Sequence, residues 1–165
     1  MTKFHSFESE RLLYKGISEG DTDLLVRWRS DCEVIRYFRS PEPITRQEHL
    51  KWLENSYMTN FRRFDFIIIE KLSENAIGTV GANNVDFEGG TCEISYMVAE
   101  RNFQRKGYAS EAVLAIMESM RNEGVRKFFA EIHNENEASI YLVEKLGFSH
   151  CSQQDAFSLF IKSED

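Results

Sequence analysis

Three β-type segments follow one another between Phe64 and Ala99, with only turns between them. Phe66-Ile67-Ile68-Ile69 is a short apolar, β-branched run of the kind buried in a sheet. Ala76–Val85 reads as a second strand, with Gly78 and Gly81 marking a bulge. The turn residues Phe87-Glu88-Gly89-Gly90 lead into a third strand, Thr91–Ala99, so the three form a meander. From Ser110 the period changes. Ala112, Val113, Ile116, Met117 and Met120 recur at helical spacing up to Asn122, and Gly124 ends the helix. Lys127–Ile132 is then a strand, Asn136–Leu146 a helix stopped by Gly147, and two closing strands follow Phe148.

Upstream, Arg11–Lys15 reads as a first strand, and Gly20-Asp21-Thr22 caps a helix carrying Leu24, Leu25 and Trp28. Val34, Ile35, Tyr37 and Phe38 predict a short helix that stops before Pro41 and Pro43. Thr45-Arg46-Gln47-Glu48 has the form of a capping box, opening a helix that buries Leu50, Leu53 and Tyr57. Helices, then a meander, then strand–helix–strand–helix–strand predict a mixed α/β sheet with helices on both faces. The 165 residues show no linker, repeat or low-complexity tract, so a single domain over 1–165 is expected.

Composition narrows the function classes. A net charge of -7 argues against nucleic acid and anionic membranes as partners and mildly favours a cationic substrate. Met1-Thr2-Lys3-Phe4-His5 lacks the apolar run of a secretory signal, and no stretch is of membrane-spanning length. Cys32, Cys92 and Cys151 are too scattered for a disulfide framework or zinc site and read as free buried thiols in a cytoplasmic protein. His5, His49, His133 and His150 show no ligand spacing, so no metal is expected.

The segment with the clearest chemistry is Gln104-Arg105-Lys106-Gly107-Tyr108-Ala109, between a strand and a helix. A strand feeding a glycine-containing loop and then a helix leaves backbone N–H groups aimed at one point, where the helix dipole adds positive charge. An anion such as a pyrophosphate suits that point. Gly107 permits close approach or a positive φ, and Arg101, Arg105 and Lys106 make the loop basic in an acidic protein. The segment is neither a Gly-Lys-Ser/Thr loop nor Gly-x-Gly-x-x-Gly, which excludes the common nucleotide motifs.

Gln104-x-x-Gly107-x-Ala109 resembles the Gln/Arg-x-x-Gly-x-Gly/Ala signature of the GNAT superfamily of N-acetyltransferases. Asn136-x-x-Ser139-x-x-Leu142-x-Glu144-Lys145-Leu146-Gly147-Phe148 resembles a second segment of the same family. With the opening Glu8-Ser9-Glu10-Arg11-Leu12, Trp28 and Asp31-Cys32-Glu33-Val34, it is most similar to the branch of ribosomal-protein N-terminal acetyltransferases. The resemblance implies a mostly antiparallel sheet of six to seven strands with a V-shaped splay between two central ones. It also implies acetyl-coenzyme A as co-substrate, used by direct transfer in a ternary complex. By the same resemblance the coenzyme contacts are Met97 and Val98 on the strand, Gln104, Arg105, Lys106, Gly107, Tyr108 and Ala109 on the pyrophosphate, and Asn136 and Ser139 along the pantetheine arm. The implied partner is an amine, either a protein N-terminus or a small molecule such as a polyamine, amino sugar, aminoglycoside or amino acid. A coenzyme A-binding module with little catalysis is the alternative outside the enzymes. Monomer and homodimer both suit the family.

An alkylamine of pKa ~10 must lose a proton before it attacks a thioester, and a carboxylate can take it, directly or through water. A carboxylate in an apolar strand is costly unless paired, which makes Glu131 in Phe128-Phe129-Ala130-Glu131-Ile132 and Glu93 in Cys92-Glu93-Ile94-Ser95 candidates for that base, the alternative being that either reaches the sheet end and simply binds an arginine or backbone. The resemblance ranks Glu131 first, because relatives with a proposed catalytic glutamate often carry it at this point just before the gap, and Glu93 second. Many relatives have a tyrosine where this chain has Val143, as proton donor to the leaving thiolate. Tyr141 is two residues off, roughly 200° around a helix, and does not substitute. A thiol of pKa ~8.5 leaves tolerably without a donor.

Overall fold

The computed structural model describes residues 5–164, so the reading of Met1–Phe4 lies outside the described residues. One eight-stranded sheet runs through it in the order β1-β2-β3-β4-β5-β6-β8-β7. The strands are β1 (Phe7–Glu8), β2 (Leu12–Gly16), β3 (Phe64–Glu70), β4 (Asn75–Asp86), β5 (Thr91–Val98), β6 (Lys127–His133), β7 (Ser149–Gln154) and β8 (Phe157–Ser163). The two-residue β1, too short to leave a periodic signal, adds the strand that the sequence reading lacked. Every pairing is antiparallel except β5 with β6.

Alternation along the strands splits the sheet into two faces. On one, Phe66, Ile68, Val80, Ala82, Cys92, Ile94, Phe128 and Ala130 pack under α3 (Tyr108–Asn122) and Val143 of α4 (Glu137–Lys145). On the other, Ile67 with Ile69 and Met97 packs under α1 (Thr22–Arg29), α2 (Arg46–Trp52) and the π-turn Leu53–Tyr57 that continues α2. The capping box opens α2 as expected, with Glu48 N–H donating to Thr45 Oγ1 at 3.1 Å and Thr45 N–H to Glu48 Oε2 at 2.7 Å. Leu53 and Tyr57 are buried as expected, whereas Leu50 is half-buried.

Two expectations need correction. The segment from Val34 to Phe38 is a succession of turns, not a helix. Glu33 N–H donates to the Asp31 side chain at 3.0 Å, a local bond that competes with helical pairing, and a run this short cannot nucleate alone. Of the three thiols only Cys92 is buried, and burial pushes its pKa up to about 12; Cys32 and Cys151 are exposed. Among the described residues no group of acidic, histidine or cysteine side chains is arranged to hold a metal, and no helix is long and apolar enough to cross a membrane.

The predicted bulge falls at Ile77: Ile68 pairs with Gly78 but Ile69 with Ala76. The Ile77 carbonyl, turned out of the β3 ladder, accepts the N–H groups of both Ala99 and Glu100, at 2.8 and 3.1 Å, and so fixes where β5 ends. Gly78 is required beside it, because a Cβ there would overlap the Met97 carbonyl. Gly78→Ala should therefore cost about 1–3 kcal/mol of stability or more, read as a lowered melting temperature.

Candidate active site

Strands β5 and β6 pair at only three positions, Thr91 with Lys127, Cys92 with Phe128 and Glu93 with Phe129. Beyond Glu93 each keeps its outer partner, β5 with β4 to Val98 and β6 with β8 to His133, but they no longer bond each other. A V-shaped gap results, with backbone edges 94–98 and 130–133 as its arms. The Tyr96 hydroxyl donates to the Ser139 carbonyl at 3.4 Å, which ties the start of α4 to the β5 arm.

At the open end of β5 the chain makes a 3-10 turn, Arg101–Phe103, and then the basic loop. Gln104 Nε2 donates to the Val98 carbonyl at 2.9 Å, fastening the loop to the last residue of the strand. Arg105 and Gly107 both take left-handed backbone conformations, φ +60° and +80°, which an arginine adopts only at a cost. The first bond into α3 runs from Glu111 N–H to Gly107 O at 3.1 Å, so the N–H groups of Tyr108, Ala109 and Ser110 precede it and face out along the axis. Arg11 braces the loop. Its Nη1 donates to the Lys106 carbonyl at 3.0 Å, its Nε to Glu111 at 2.8 Å, and its guanidinium lies 4.2 Å over the Tyr108 ring.

The expected coenzyme contacts thus gather around one gap, by different means. Arg105 and Lys106 are exposed, Met97 and Val98 lie half-buried on the β5 arm, and Gly107 and Ala109 offer backbone. The Tyr108 side chain is buried, its hydroxyl 3.5 Å from Glu70, so only its backbone can meet an anion. Asn136 caps α4 by accepting the Ser139 N–H at 3.3 Å. A groove of about 340 Å³ lies beside the loop, lined by Glu33, Val34, Ala99, Arg101 and Gln104. The larger groove, about 760 Å³ between Phe7–Arg11 and α3, touches neither the gap nor either expected base.

Those two carboxylates have unlike surroundings. Glu93, Phe129 and Glu131 alternate with the residues packed under α3 and so lie on the opposite face of the sheet, at the apex of the V. Glu131 is ion-paired with Arg39 Nε, and Arg39 also lies 4.3 Å over the Phe157 ring. Glu93 accepts one hydrogen bond, from Asn84 Nδ2 at 3.2 Å. Burial, and secondarily the negative charge of Glu131, raise its pKa above the usual carboxylate value against the pull of Asn84, Arg39 and Arg63. Sequence reasoning missed Arg39, Asn84 and Arg11 as members of the site. Arg11 alone carried a signal, since it lies in the opening Glu8–Leu12. Val143 is fully buried in the core, and Tyr141 is 69% exposed.

The sequence profile described as the acetyltransferase (GNAT) domain matches residues 11–149. The chain belongs to this acetyltransferase family. It is 30% identical over 143 residues to an uncharacterized protein of Methanocaldococcus jannaschii, covering 86% of this chain but only 28% of that one. It is 31% identical to the uncharacterized N-acetyltransferase p20 of Bacillus licheniformis, over 85% of this chain and 80% of p20. The solved structure of RimL, a ribosomal L7/L12 alpha-N-protein acetyltransferase in complex with coenzyme A, superposes with a TM-score of 0.83 at 16% identity, over 98% of this chain and 99% of that one, a likeness of fold alone.

Proposed function

We propose that this GNAT domain is an acetyltransferase that takes the acetyl group of acetyl-coenzyme A and passes it directly to a primary amine bound in the same complex. The observation that carries the reading is the parting of β5 from β6 after Glu93 and Phe129, with the basic loop at its open end. The β5 edge offers unpaired backbone to the pantetheine arm, and loop 104–109 offers N–H groups and positive charge to the pyrophosphate. Asn136 and Ser139 line the opposite side. A backbone N–H near Met97 polarises the thioester carbonyl as an oxyanion donor.

Glu93 is the proposed general base. Its raised pKa brings it nearer the amine's than an ordinary carboxylate, and no arginine occupies it as Arg39 occupies Glu131. The amine loses its proton to Glu93, directly or through water, and its nitrogen bonds to the acetyl carbon. The C–S bond then breaks, and the thiolate leaves and takes a proton from solvent, since Val143 supplies none. A protein N-terminus and a small amine both suit this chemistry.

Initial rates of thiol release with both substrates varied test the direct-transfer step. Intersecting double-reciprocal lines are expected, whereas parallel lines would mean an acetyl-enzyme and sink the ternary-complex mechanism. Neutralising Arg105 and Lys106 together should raise the KM for acetyl-coenzyme A and leave kcat near its original value. A fall in kcat at unchanged KM would move these residues into the chemistry.

A further inference from the structure

Arg29, the last residue of α1, is half-buried, and its Nε is shut off from solvent with no hydrogen-bond partner. Among the described residues it has no ion pair. Burial and the neighbouring Arg63 both disfavour its charged form. A guanidinium N–H closed off from water without an acceptor is costly, and such groups are rare in folded proteins unless something completes them. Burial, and after it the charges of Arg29 and Arg46, hold the pKa of His49 below the usual value, and its Nε2 is likewise unpartnered. Arg63 stacks 5.0 Å over Trp52, which in turn lies 5.5 Å from the His49 ring. Arg63 is matched, its Nε donating to Asp65 at 2.7 Å, and the lowered pKa of His49 favours its neutral ring, so among these neighbours Arg29 is the unpaired cation.

This group lies near the carboxylates, one of which is proposed to take the amine's proton. Arg29 lies 5.2 Å over Phe38, and the next residue, Arg39, holds Glu131. Arg63 is close enough to Glu93 to pull its pKa down. The consecutive residues Phe38 and Arg39 thus link this unpaired cation to the carboxylates at the apex of the V. We propose that Arg29, with Arg63 and His49 beside it, binds an anionic group of the acceptor, so that the acceptor is an amine bearing a carboxylate or phosphate rather than a polyamine. The inference rests on the acetyl-transfer reading and deepens it. It also runs against the cationic substrate that the overall charge favours, because the net charge averages over the whole surface while Arg29 reports the cleft.

Two measurements on the full chain test it. With saturating acetyl-coenzyme A, thiol release is compared for aspartate and phosphoethanolamine, which carry a carboxylate and a phosphate respectively, and for ethanolamine and spermidine, which carry no anion. At least one of the first pair should show kcat/KM tenfold or more above both of the second, and Arg29→Gln should remove that advantage through KM for the amine, leaving KM for acetyl-coenzyme A unchanged. Spermidine or ethanolamine matching the acidic amines, or a preference that survives Arg29→Gln, would overturn the inference. Separately, inorganic phosphate is titrated against the coenzyme A-saturated protein, so that the pyrophosphate loop is filled. A saturable rise in melting temperature, absent in Arg29→Gln, is expected. A rise that persists in the variant, or no rise at all, contradicts the subsite. If no amine is acetylated yet phosphate still acts through Arg29, the transfer reading fails and the anion subsite stands. Removing an unpaired, half-buried charge should not destabilise the fold, so an Arg29→Gln protein that cannot fold would show a structural guanidinium and equally overturn the proposal.

Discussion

Glu93→Gln is expected to lower kcat by roughly 10²–10⁴-fold, the usual contribution of a positioned general base, and at the same time to raise the melting temperature at neutral pH. Both effects follow from one environment. Glu93 is half-buried beside Glu131, so its folded pKa lies above its unfolded one. Across the interval between those two values the native state binds more protons than the unfolded state, and stability falls as pH rises. Below the unfolded pKa both states are protonated and the penalty vanishes. The amide has no charge to desolvate, so its stabilising effect should be present at neutral pH and fade on acidification. The rate defect should shrink as pH rises, because more of the amine is then already deprotonated. Glu131→Gln is the matched comparison. It breaks the contact with Arg39 and should be far milder in kcat. A crippled Glu131→Gln beside an active Glu93→Gln would exchange the two roles.

Gly107→Glu is expected to abolish the rise in melting temperature that acetyl-coenzyme A gives the wild-type protein. Two costs combine at this residue. Its φ of +80° strains any L side chain, and the new carboxylate would stand where Tyr108, Ala109 and Ser110 present their N–H groups to an anion. A Cβ there would meet Arg11 Nη2 at 3.4 Å, an ordinary contact, so the backbone strain and the new charge carry the effect. Gly107→Ala separates the contributions, since it brings the strain without the charge and should retain part of the shift. An undiminished shift in Gly107→Glu would remove the loop from the binding site.

The strands were legible because their burial is local. Phe66–Ile69, Thr91–Val98 and Lys127–Ile132 alternate or run apolar whatever they pair with, and the glycines after α3 and α4 take the positive φ that ends each helix. The misread stretch, Val34–Phe38, has apolar residues for another reason. Phe38 faces the Arg29 guanidinium and Tyr37 the His133 ring, contacts that a turn segment makes across the cleft. In the same way Glu131 stood out in its strand, but its partner Arg39 lies 92 positions earlier in a segment without period. Nor could sequence tell which of the two carboxylates is occupied by an arginine and which is left half-buried with Asn84 as hydrogen-bond donor. Ion pairs between distant segments set those roles, and no local pattern encodes them.

The measurement that bears most directly on the account is the fate of a labelled acetyl group. Purified protein is incubated with acetyl-labelled acetyl-coenzyme A and a panel of primary amines, and thiol released is compared with label recovered in each amine. The account predicts one labelled amine per thiol, lost in Glu93→Gln and restored in part at high pH. Thiol release without a labelled amine, or coenzyme binding with no release for any amine, would contradict it.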